Sequence, residues 1–150
     1  MEEGKLSKKD IKIVIAAHKP YRMPEDTMYV PLHVGAEGKK NPDGTPLDLG
    51  YQKDNEGDNI SAKNPNYCEL TGIYYAWKNI PAEYLGLVHY RRYFKGKNKS
   101  KDPFACIVTE PEMEKIFETH RIVVPKKRKY YIETLYSHYA HTHYAEHLDC

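Results

Sequence analysis

Residues 86–94, GLVHYRRYF, begin as a buried strand and then become cationic at His89, Arg91 and Arg92. Arginine guanidinium groups bind phosphate through two parallel hydrogen bonds and stay charged at physiological pH. In an open α/β sheet, ligands bind at the carboxyl ends of the strands. The segment therefore predicts a phosphate site, with a pair of ordinary surface arginines as the alternative. Because neighbouring residues of a strand face opposite ways, we expect only one arginine to point into the site.

A second polar segment, DNEGDNIS at residues 54–61, carries the carboxylates Asp54, Glu56 and Asp58. Oxygen ligands suit Mg²⁺, Mn²⁺ or Ca²⁺, so one interpretation is a cation site. The segment is not an EF-hand loop, because the ligand spacing fails and no glutamate follows at the twelfth position. The other interpretations are a polar loop that hydrogen-bonds a sugar or nucleotide, and a solvated turn, which the spacing alone favours.

Histidines recur near the end of the chain, at His138, His141, His143 and His147. His143 and His147 are four residues apart and would share a helix face, as some zinc-binding histidines do. No acidic residue completes an HExxH motif, so the favoured interpretation is a polar helix face.

A basic segment, PKKRKYY at residues 125–131, has the composition of a contact with nucleic acid or anionic lipid. Such a short run of charges is more often a solvated connection between a strand and a helix. The sequence contains no P-loop, no GxSxG and no GxGxxG motif. It also lacks a strict DxD, the carboxylate pair by which many sugar-nucleotide transferases hold a divalent ion.

Four segments predict the strands that would position these side chains. Residues 11–17, IKIVIAA, form a continuous β-branched run that is typical of a buried parallel strand. Residues 28–36 predict a weaker strand, in which Pro31 indicates an edge or a bulge. Residues 83–90 and 121–125, the latter reading RIVVP, predict two further strands, and the RIVVP strand should be buried.

A long loop and helices connect these strands. The loop, residues 37–59, is rich in Gly, Asp, Asn and Pro. Residues 64–79 predict a helix capped by Asn64, although Gly72 weakens it by about 1 kcal/mol relative to alanine. The motif TEPE predicts a capping box that begins a helix at residues 109–119. This alternation predicts an α/β domain with a mostly parallel sheet and flanking helices.

The 150 residues fit one domain, and the formal net charge of +2 gives no global field of the kind that marks a nucleic-acid binder. Residues 1–10 predict a disordered tail without the apolar core of a signal peptide, and residues 11–150 form the predicted domain. Residues 131–148 predict a final helix with no C-cap, so we expect a missing C-terminal part. Three cysteines without a CxxC pair indicate reduced thiols in a cytoplasmic protein: Cys68, Cys106 and Cys150.

Four motifs carry a family resemblance: IAAHKP, GDNISAKNPNYCELTGIYYAWKN, YLGLVHYRRYF and YYIETLYSHYAHTHY. Together they resemble a bacterial family that was long labelled a domain of unknown function. That family occurs in capsular and exopolysaccharide synthesis proteins and is grouped with glycosyltransferases of the GT-A fold. The resemblance covers about residues 11–149, and its two middle motifs are long and specific. It implies a GT-A-like, Rossmann-like domain that moves a sugar from a nucleoside diphosphate sugar, UDP-linked by family habit, to a growing surface polysaccharide.

The resemblance also implies where the donor binds. The end of the first strand, Ala16, Ala17 and His18, would lie near the nucleotide. The donor pocket would be lined by polar residues of GDNIS and of the helix after it: Asp58, Asn59, Ser61 and Asn64. His89, Arg91 and Arg92 would lie where related enzymes carry DxD. Without that pair, arginine charge can neutralise the leaving diphosphate, the role that a bound cation otherwise plays.

The implied reaction is displacement at the anomeric carbon, and inversion would need a base, for which Asp58 and Glu69 are the candidates. No metal ligand is assigned, and Mn²⁺ or Mg²⁺ is left open. The expected partners are the nucleotide-sugar donor and a saccharide or lipid-linked saccharide acceptor. No nucleic acid is expected, and a peripheral contact with the inner membrane surface is left open. The alternative function is a non-catalytic nucleic-acid or partner-binding module built on the basic, tyrosine-rich segments.

Overall fold

The computed structural model describes residues 8–127, 129, 131 and 134–142. These residues form a parallel sheet in the order β3-β2-β1-β4. Its strands are β1 (Ile11–Ala17), β2 (Tyr29–His33), β3 (Gln52–Lys53) and β4 (Tyr84–His89). The α-helices are α1 (Asn64–Tyr67), α2 (Leu70–Asn79), α3 (Glu110–Phe117) and α4 (Leu135–Thr142). The predicted α/β class, with a parallel sheet and flanking helices, is confirmed.

Strand β1 lies inside the sheet and is buried on both faces. Ile13 and Ile15 belong to one core cluster with Met113 of α3. Val14 belongs to a second cluster, with Tyr75 of α2, on the opposite face. Because side chains alternate between the faces of a strand, a strand covered on both sides needs apolar residues throughout. This requirement accounts for the unbroken β-branched run.

The helix predicted at residues 64–79 is divided in two. Cys68, which joins α1 to α2, has φ 47° and ψ −130° and so interrupts the helical backbone. Asn64 is the first residue of α1 and not a cap. Its amide Nδ2 instead donates to the Cys68 carbonyl at 2.8 Å and to Oγ1 of Thr71 at 3.0 Å. The capping role predicted for Asn64 is therefore wrong, because its side chain stabilises the break.

Other connections agree with the sequence more closely. The predicted capping box before α3 is confirmed, since the side chains of Thr109 and Glu112 each bond the other's backbone N–H. Strand β2 pairs with β3 only at Leu32 and His33, so within the described ranges Pro31 has β1 as its only neighbouring strand. The loop predicted at residues 37–59 does contain one short strand, β3.

The buried strand predicted at residues 121–125 is not present. Ile122 and Val124 are 77% and 72% exposed, whereas Val123 packs against the core. A strand buried on both faces needs a cover on each side, and the described part of the chain covers this segment on one side only. The prediction was wrong because this segment is an irregular connection that packs against the core on one side only.

The ends of the chain are described in part. Helix α4 begins later than the predicted helix at residues 131–148, and residues 143–150, with His143 and His147, lie outside the described residues. Of the predicted tail, residues 1–7 also lie outside them. Lys8 forms an ion pair with Glu110 at 3.1 Å.

Candidate functional site

The carboxyl ends of the strands meet at one edge of the sheet, beside the start of α2. Ala17 lies opposite His33, and Ala16 lies opposite His89. His18 follows β1 directly and is exposed. Open α/β sheets bind ligands at this edge. The structure thus brings the predicted residues Ala17, His18 and His89 to the edge at which such ligands bind.

Strand β4 ends at His89, and the next three residues turn back at the sheet edge. The N–H of Arg92 donates to the carbonyl of His89 at 2.8 Å, and the N–H of Arg91 donates to Nδ1 of His89 at 3.3 Å. We call residues 89–92 the arginine turn. Because the arginines lie in a turn, strand alternation does not apply to them, and both line one cleft. Strand alternation therefore gives no reason to expect only one of them in a site.

The arginine turn forms part of the wall of an open cleft of about 820 Å³. Cationic side chains and one carboxylate line it: Arg91, Arg92, Lys126, Lys127 and Glu69. Its other lining residues, apart from His89, are apolar or aromatic: Leu87, Val88, Tyr93, Phe94 and Pro125. A volume of this size is typical of small-molecule sites. The excess of positive charge favours an anionic ligand.

Glu69, at the start of α2, faces the arginine turn across this cleft. Its Oε1 lies 3.7 Å from Nε2 of His89. Burial lowers the pKa of His89 below its ordinary value of 6.5, and Glu69 opposes that shift. Arg91 and Arg92 add to the lowering. At neutral pH the contact is therefore between a carboxylate and an uncharged imidazole, whose Nδ1 already accepts a hydrogen bond.

Aromatic rings join the segment after β1 to the arginine turn. Tyr21 stacks on Tyr90 with ring centroids 3.7 Å apart and planes 14° from parallel. His18 meets the Tyr90 ring edge-on at 5.5 Å, and Arg91 lies over it at 5.0 Å. The hydroxyl of Tyr51 accepts from the N–H of Tyr21 and donates to its carbonyl, both at 3.0 Å. These contacts hold His18 on the same side of the sheet edge as the arginines.

The first carboxylate of the acidic segment has a structural position. Asp54 is fully buried. Its carboxylate accepts from the N–H of Gly35 at 2.8 Å, from the N–H of Ala36 at 3.0 Å and from Oγ1 of Thr71 at 2.8 Å. The hydroxyl of Ser61 donates to it as well. With four donors in place, both oxygens of Asp54 are occupied, and the residue ties the end of β2 to α2.

Ser61 and Asn64, both predicted to line the donor pocket, belong to this same junction. Ser61 is buried, and its hydroxyl accepts from the N–H of Glu37 at 3.1 Å while it donates to Asp54. The amide of Asn64 is engaged at the helix break, and its Oδ1 lies where a side chain on Gly35 would otherwise go. Both residues lie outside the lining of the cleft.

Asp58 and Asn59 lie beside the later part of α2. Asp58 accepts from the hydroxyl of Tyr74 at 3.1 Å, and its Oδ2 lies 3.9 Å from Nζ of Lys78. Nine residues of helix separate Lys78 from Glu69, which corresponds to about 14 Å along the axis. Asn59 closes a local turn, with its Nδ2 donating to the carbonyl of Gly57 at 2.9 Å. The structure does not bring Asp58 and Glu69 together.

The sequence did not indicate that Lys126 and Lys127 line the same cleft as the arginine turn. Lys126 lies 35 residues after Arg91 in the chain. The sequence shows the basic composition of residues 125–131. That this segment lies beside Phe94 in the cleft depends on the tertiary fold. The only available signal was charge, and charge alone does not name a partner.

A divalent ion does not suit the donor set of this cleft. Among the described residues, no three His, Cys, Asp or Glu side chains are close enough to hold one metal ion. At the cleft, Glu69 is one carboxylate among guanidinium and ammonium groups. Hard cations such as Mg²⁺ need several oxygen ligands.

Comparison with known protein families identifies the family of the chain. The family described as a domain of unknown function, DUF4422, matches residues 12–150. The chain belongs to the DUF4422 family. No match was found among curated proteins.

Among solved structures, the DUF4422 chain is similar to the apo structure of the WbbM bifunctional glycosyltransferase. The two are 40% identical, and the TM-score is 0.52. The match covers 63% of this chain but only 16% of that protein, so the DUF4422 chain spans a small part of its length. No helix in the described ranges is long and apolar enough to cross a membrane.

Proposed function

We propose that this DUF4422 chain binds a nucleoside diphosphate sugar in the cleft beside the arginine turn and takes part in transfer of the sugar to a saccharide acceptor. The observation that carries the proposal is the convergence of Arg91, Arg92, Lys126 and Lys127 at the carboxyl edge of a parallel sheet. Ligands bind at this edge in open α/β sheets, and a diphosphate matches the charge of the cleft. The glycosyltransferase neighbour supports the same class of reaction.

The roles of the donor-side residues follow from their positions. Arg91 and Arg92 would bind the diphosphate, and their charge would stabilise it as it leaves the anomeric carbon. Ala17 and His18 lie at the end of β1, where the nucleotide base would be placed, with UDP as the proposed nucleotide. His89 would orient the turn through its hydrogen bond to the N–H of Arg91.

For the base, we propose Glu69 in preference to Asp58. Glu69 lines the cleft, whereas Asp58 is held by Tyr74 and lies near Lys78 further along α2. In an inverting transfer, the acceptor hydroxyl oxygen would bond to the anomeric carbon while its proton passes to Glu69. The bond from that carbon to the diphosphate would break, and its electron pair would stay on the phosphate oxygen.

The acceptor and the location rest on the four motifs that resemble polysaccharide synthesis proteins. We propose a growing surface polysaccharide, free or lipid-linked, as the acceptor. Such an enzyme would work in the cytoplasm, at the inner membrane surface. The alternative, a nucleic-acid module, draws on the same basic side chains and predicts a steep fall of RNA binding with salt.

A thermal-shift screen tests the proposal. The chain is heated with UDP, UDP-sugars, GDP-sugars and single-stranded RNA, each with and without Mn²⁺. A nucleotide sugar at about 100 times its dissociation constant should add roughly 2.7 kcal/mol of stability, or about 5–10 °C for a domain of this size. Absence of any shift at millimolar nucleotide sugar, in a sample shown to be folded, would contradict donor binding. A shift that strictly requires Mn²⁺ would contradict the metal-free donor set.

A further inference from the structure

A loop of thirteen residues follows the arginine turn and carries an unusual charge pattern. Residues 95–107, here called the lysine loop, begin KGKNKSK. The lysines stand at every second position and are exposed: Lys95, Lys97, Lys99 and Lys101. The chain bends at Lys97 and at Lys101, and the N–H of Ser100 donates to Sγ of Cys106 at 3.2 Å, so the segment is curved. The loop therefore presents a row of four exposed positive charges along one short, curved segment.

The lysine loop is fixed at its base. Lys95 and Ile107 form an antiparallel bridge, and the N–H of Gly96 donates to the carbonyl of Cys106 at 2.8 Å. A Cβ on Gly96 would lie 2.5 Å from the carbonyl oxygen of Ile107, so only glycine allows this approach. The N–H of Val108 closes the base by donating to the carbonyl of Phe94 at 2.9 Å.

The far part of the lysine loop is fixed by an ion pair. The two terminal nitrogens of Arg22 donate to the two carboxylate oxygens of Asp102 at 3.0 and 2.7 Å. The same guanidinium lies 4.6 Å from the centre of the Phe104 ring. Asp102 is the only acidic residue of the loop. Its charge is therefore used by Arg22 and is not available to the lysines.

Among the described residues, the ammonium groups of the loop form no close ion pair. Over the part of the chain that the structure describes, no carboxylate lies within 4.0 Å of the side-chain nitrogen of any of its lysines. Glu112 approaches the loop, but its carboxylate accepts from the backbone N–H groups of Lys97 and Thr109. The N–H groups of Thr109 and Lys97 lower the pKa of Glu112, and the charge of Lys97 adds to that shift, so Glu112 offsets part of the charge at Lys97. The row of charge is thus held in place, and no carboxylate in the described ranges forms a close ion pair with it.

We propose that the lysine loop binds the anionic headgroup surface of a phospholipid bilayer. Clusters of four or more basic residues bind such surfaces, because each contributes a separate attraction to the negative surface potential. A single-stranded nucleic acid fits less well, since the row contains no arginine, and the one aromatic residue of the loop, Phe104, is covered by Arg22. Compact, strongly hydrated lysine charges suit a plane of phosphates without directional contacts.

The position of the lysine loop beside the cleft suggests how binding to lipid would serve the cleft. The loop begins three residues after Arg92, at one side of the cleft. A bilayer that holds the loop would bring the cleft to the lipid surface, where a lipid-linked acceptor resides. This use rests on the proposed function, whereas the binding of the loop to anionic lipid does not.

Vesicle flotation tests the proposal. Vesicles of phosphatidylcholine with about 30% phosphatidylglycerol are compared with pure phosphatidylcholine, at low and high NaCl. The variant K97Q/K99Q/K101Q is matched by K39Q/K40Q/K63Q, which removes the same charge from exposed lysines elsewhere. We expect binding only to the anionic vesicles, reversal by salt, and a loss of about 100-fold in partition for the loop variant alone. Circular dichroism and UDP binding of each variant serve as controls of folding and of the cleft.

Three outcomes would overturn the proposal: no binding to anionic vesicles at low salt, an equal loss in both triple variants, or tighter loop-dependent binding to single-stranded RNA than to vesicles. Vesicle binding in a chain that binds no UDP would support the membrane contact and contradict the proposed function. UDP binding without vesicle binding would support the proposed function and contradict the membrane contact.

Discussion

The Nε2 atom of His89 lies 3.7 Å from Oε1 of Glu69, which joins the carboxyl end of β4 to the start of α2. The imidazole also accepts the N–H of Arg91. One uncharged ring therefore connects the cleft's carboxylate to the backbone of Arg91. This relationship explains how a helix and a strand from separate parts of the sequence form one site.

Replacing Glu69 by glutamine should tighten UDP binding while it weakens transfer. The carboxylate repels the diphosphate, and two unit charges about 6 Å apart in a wet cleft interact by about 0.7 kcal/mol, or roughly threefold in affinity. Titration calorimetry of UDP measures the first effect, and turnover of a longer protein that carries this domain measures the second. Asp58→Asn is the matched control and should change neither. Weaker UDP binding by the Glu69 variant would argue that this carboxylate binds the donor.

Replacing Asp54 by asparagine should destabilise the fold strongly. An amide group keeps one acceptor oxygen but turns its nitrogen towards donors, which leaves buried groups such as the N–H of Gly35 unpaired. Each buried donor left unpaired costs about 1–3 kcal/mol, so we expect a loss of roughly 2–4 kcal/mol in urea unfolding. Asp58→Asn, at an exposed site, should cost less than about 1 kcal/mol. Equal losses of stability in the two variants would contradict the central structural role of Asp54.

Replacing Gly72 by alanine should destabilise α2, even though alanine is the better helix former. A Cβ at this position would lie 2.7 Å from Cγ1 of Val34 and 3.3 Å from Cδ2 of Leu32. Overpacking costs about 1–3 kcal/mol, against a gain of about 1 kcal/mol in helix propensity. Adding Val34→Ala should make the Gly72→Ala change less costly, which a double-mutant cycle detects. A net stabilisation of about 1 kcal/mol by the single variant would show that the helix and the sheet are not in close contact.

His33 should make stability fall as the pH is lowered below 6.5. Burial lowers the pKa of His33 below that value, so the unfolded chain takes up a proton before the folded chain does. Proton uptake by the unfolded state favours unfolding, and the loss grows until the folded pKa is reached. Urea unfolding at pH 7.5 and 5.5 measures the difference. His33→Leu should reduce it, with a residual slope from His89, whose pKa is lowered as well. An unchanged slope in the variant would assign the effect to other groups.

Features that depend on local sequence were predictable. The β-branched run of β1 indicated a strand buried on two faces, and the capping box of Thr109 and Glu112 marked the start of α3. The position of Arg91 and Arg92 at the carboxyl edge followed from the apolar residues before them. In each case the residues that decide the structure are adjacent in the chain.

Features that depend on distant partners were not predictable. The donors to Asp54 lie up to 19 residues away, so an acidic loop could not be distinguished from a buried hydrogen-bond centre. The exposure of Ile122 depends on what covers the segment, and apolar composition does not report that. Lys126 joins the cleft only through the fold of the chain after α3. Local patterns therefore predicted the edge of the site but not its full lining.

The most direct measurement compares UDP with uridine by titration calorimetry, in the parent chain and in Arg91→Lys, Arg92→Lys and Arg121→Lys. If the arginine turn binds the diphosphate, UDP should bind at least tenfold more tightly than uridine. At least one of the first two variants should lose about tenfold, roughly 1.4 kcal/mol, because lysine lacks the bidentate fork. Arg121 lies outside the cleft lining and serves as the control. Equal affinity for UDP and uridine, or parental UDP affinity in both Arg91→Lys and Arg92→Lys, would contradict a diphosphate site at this turn.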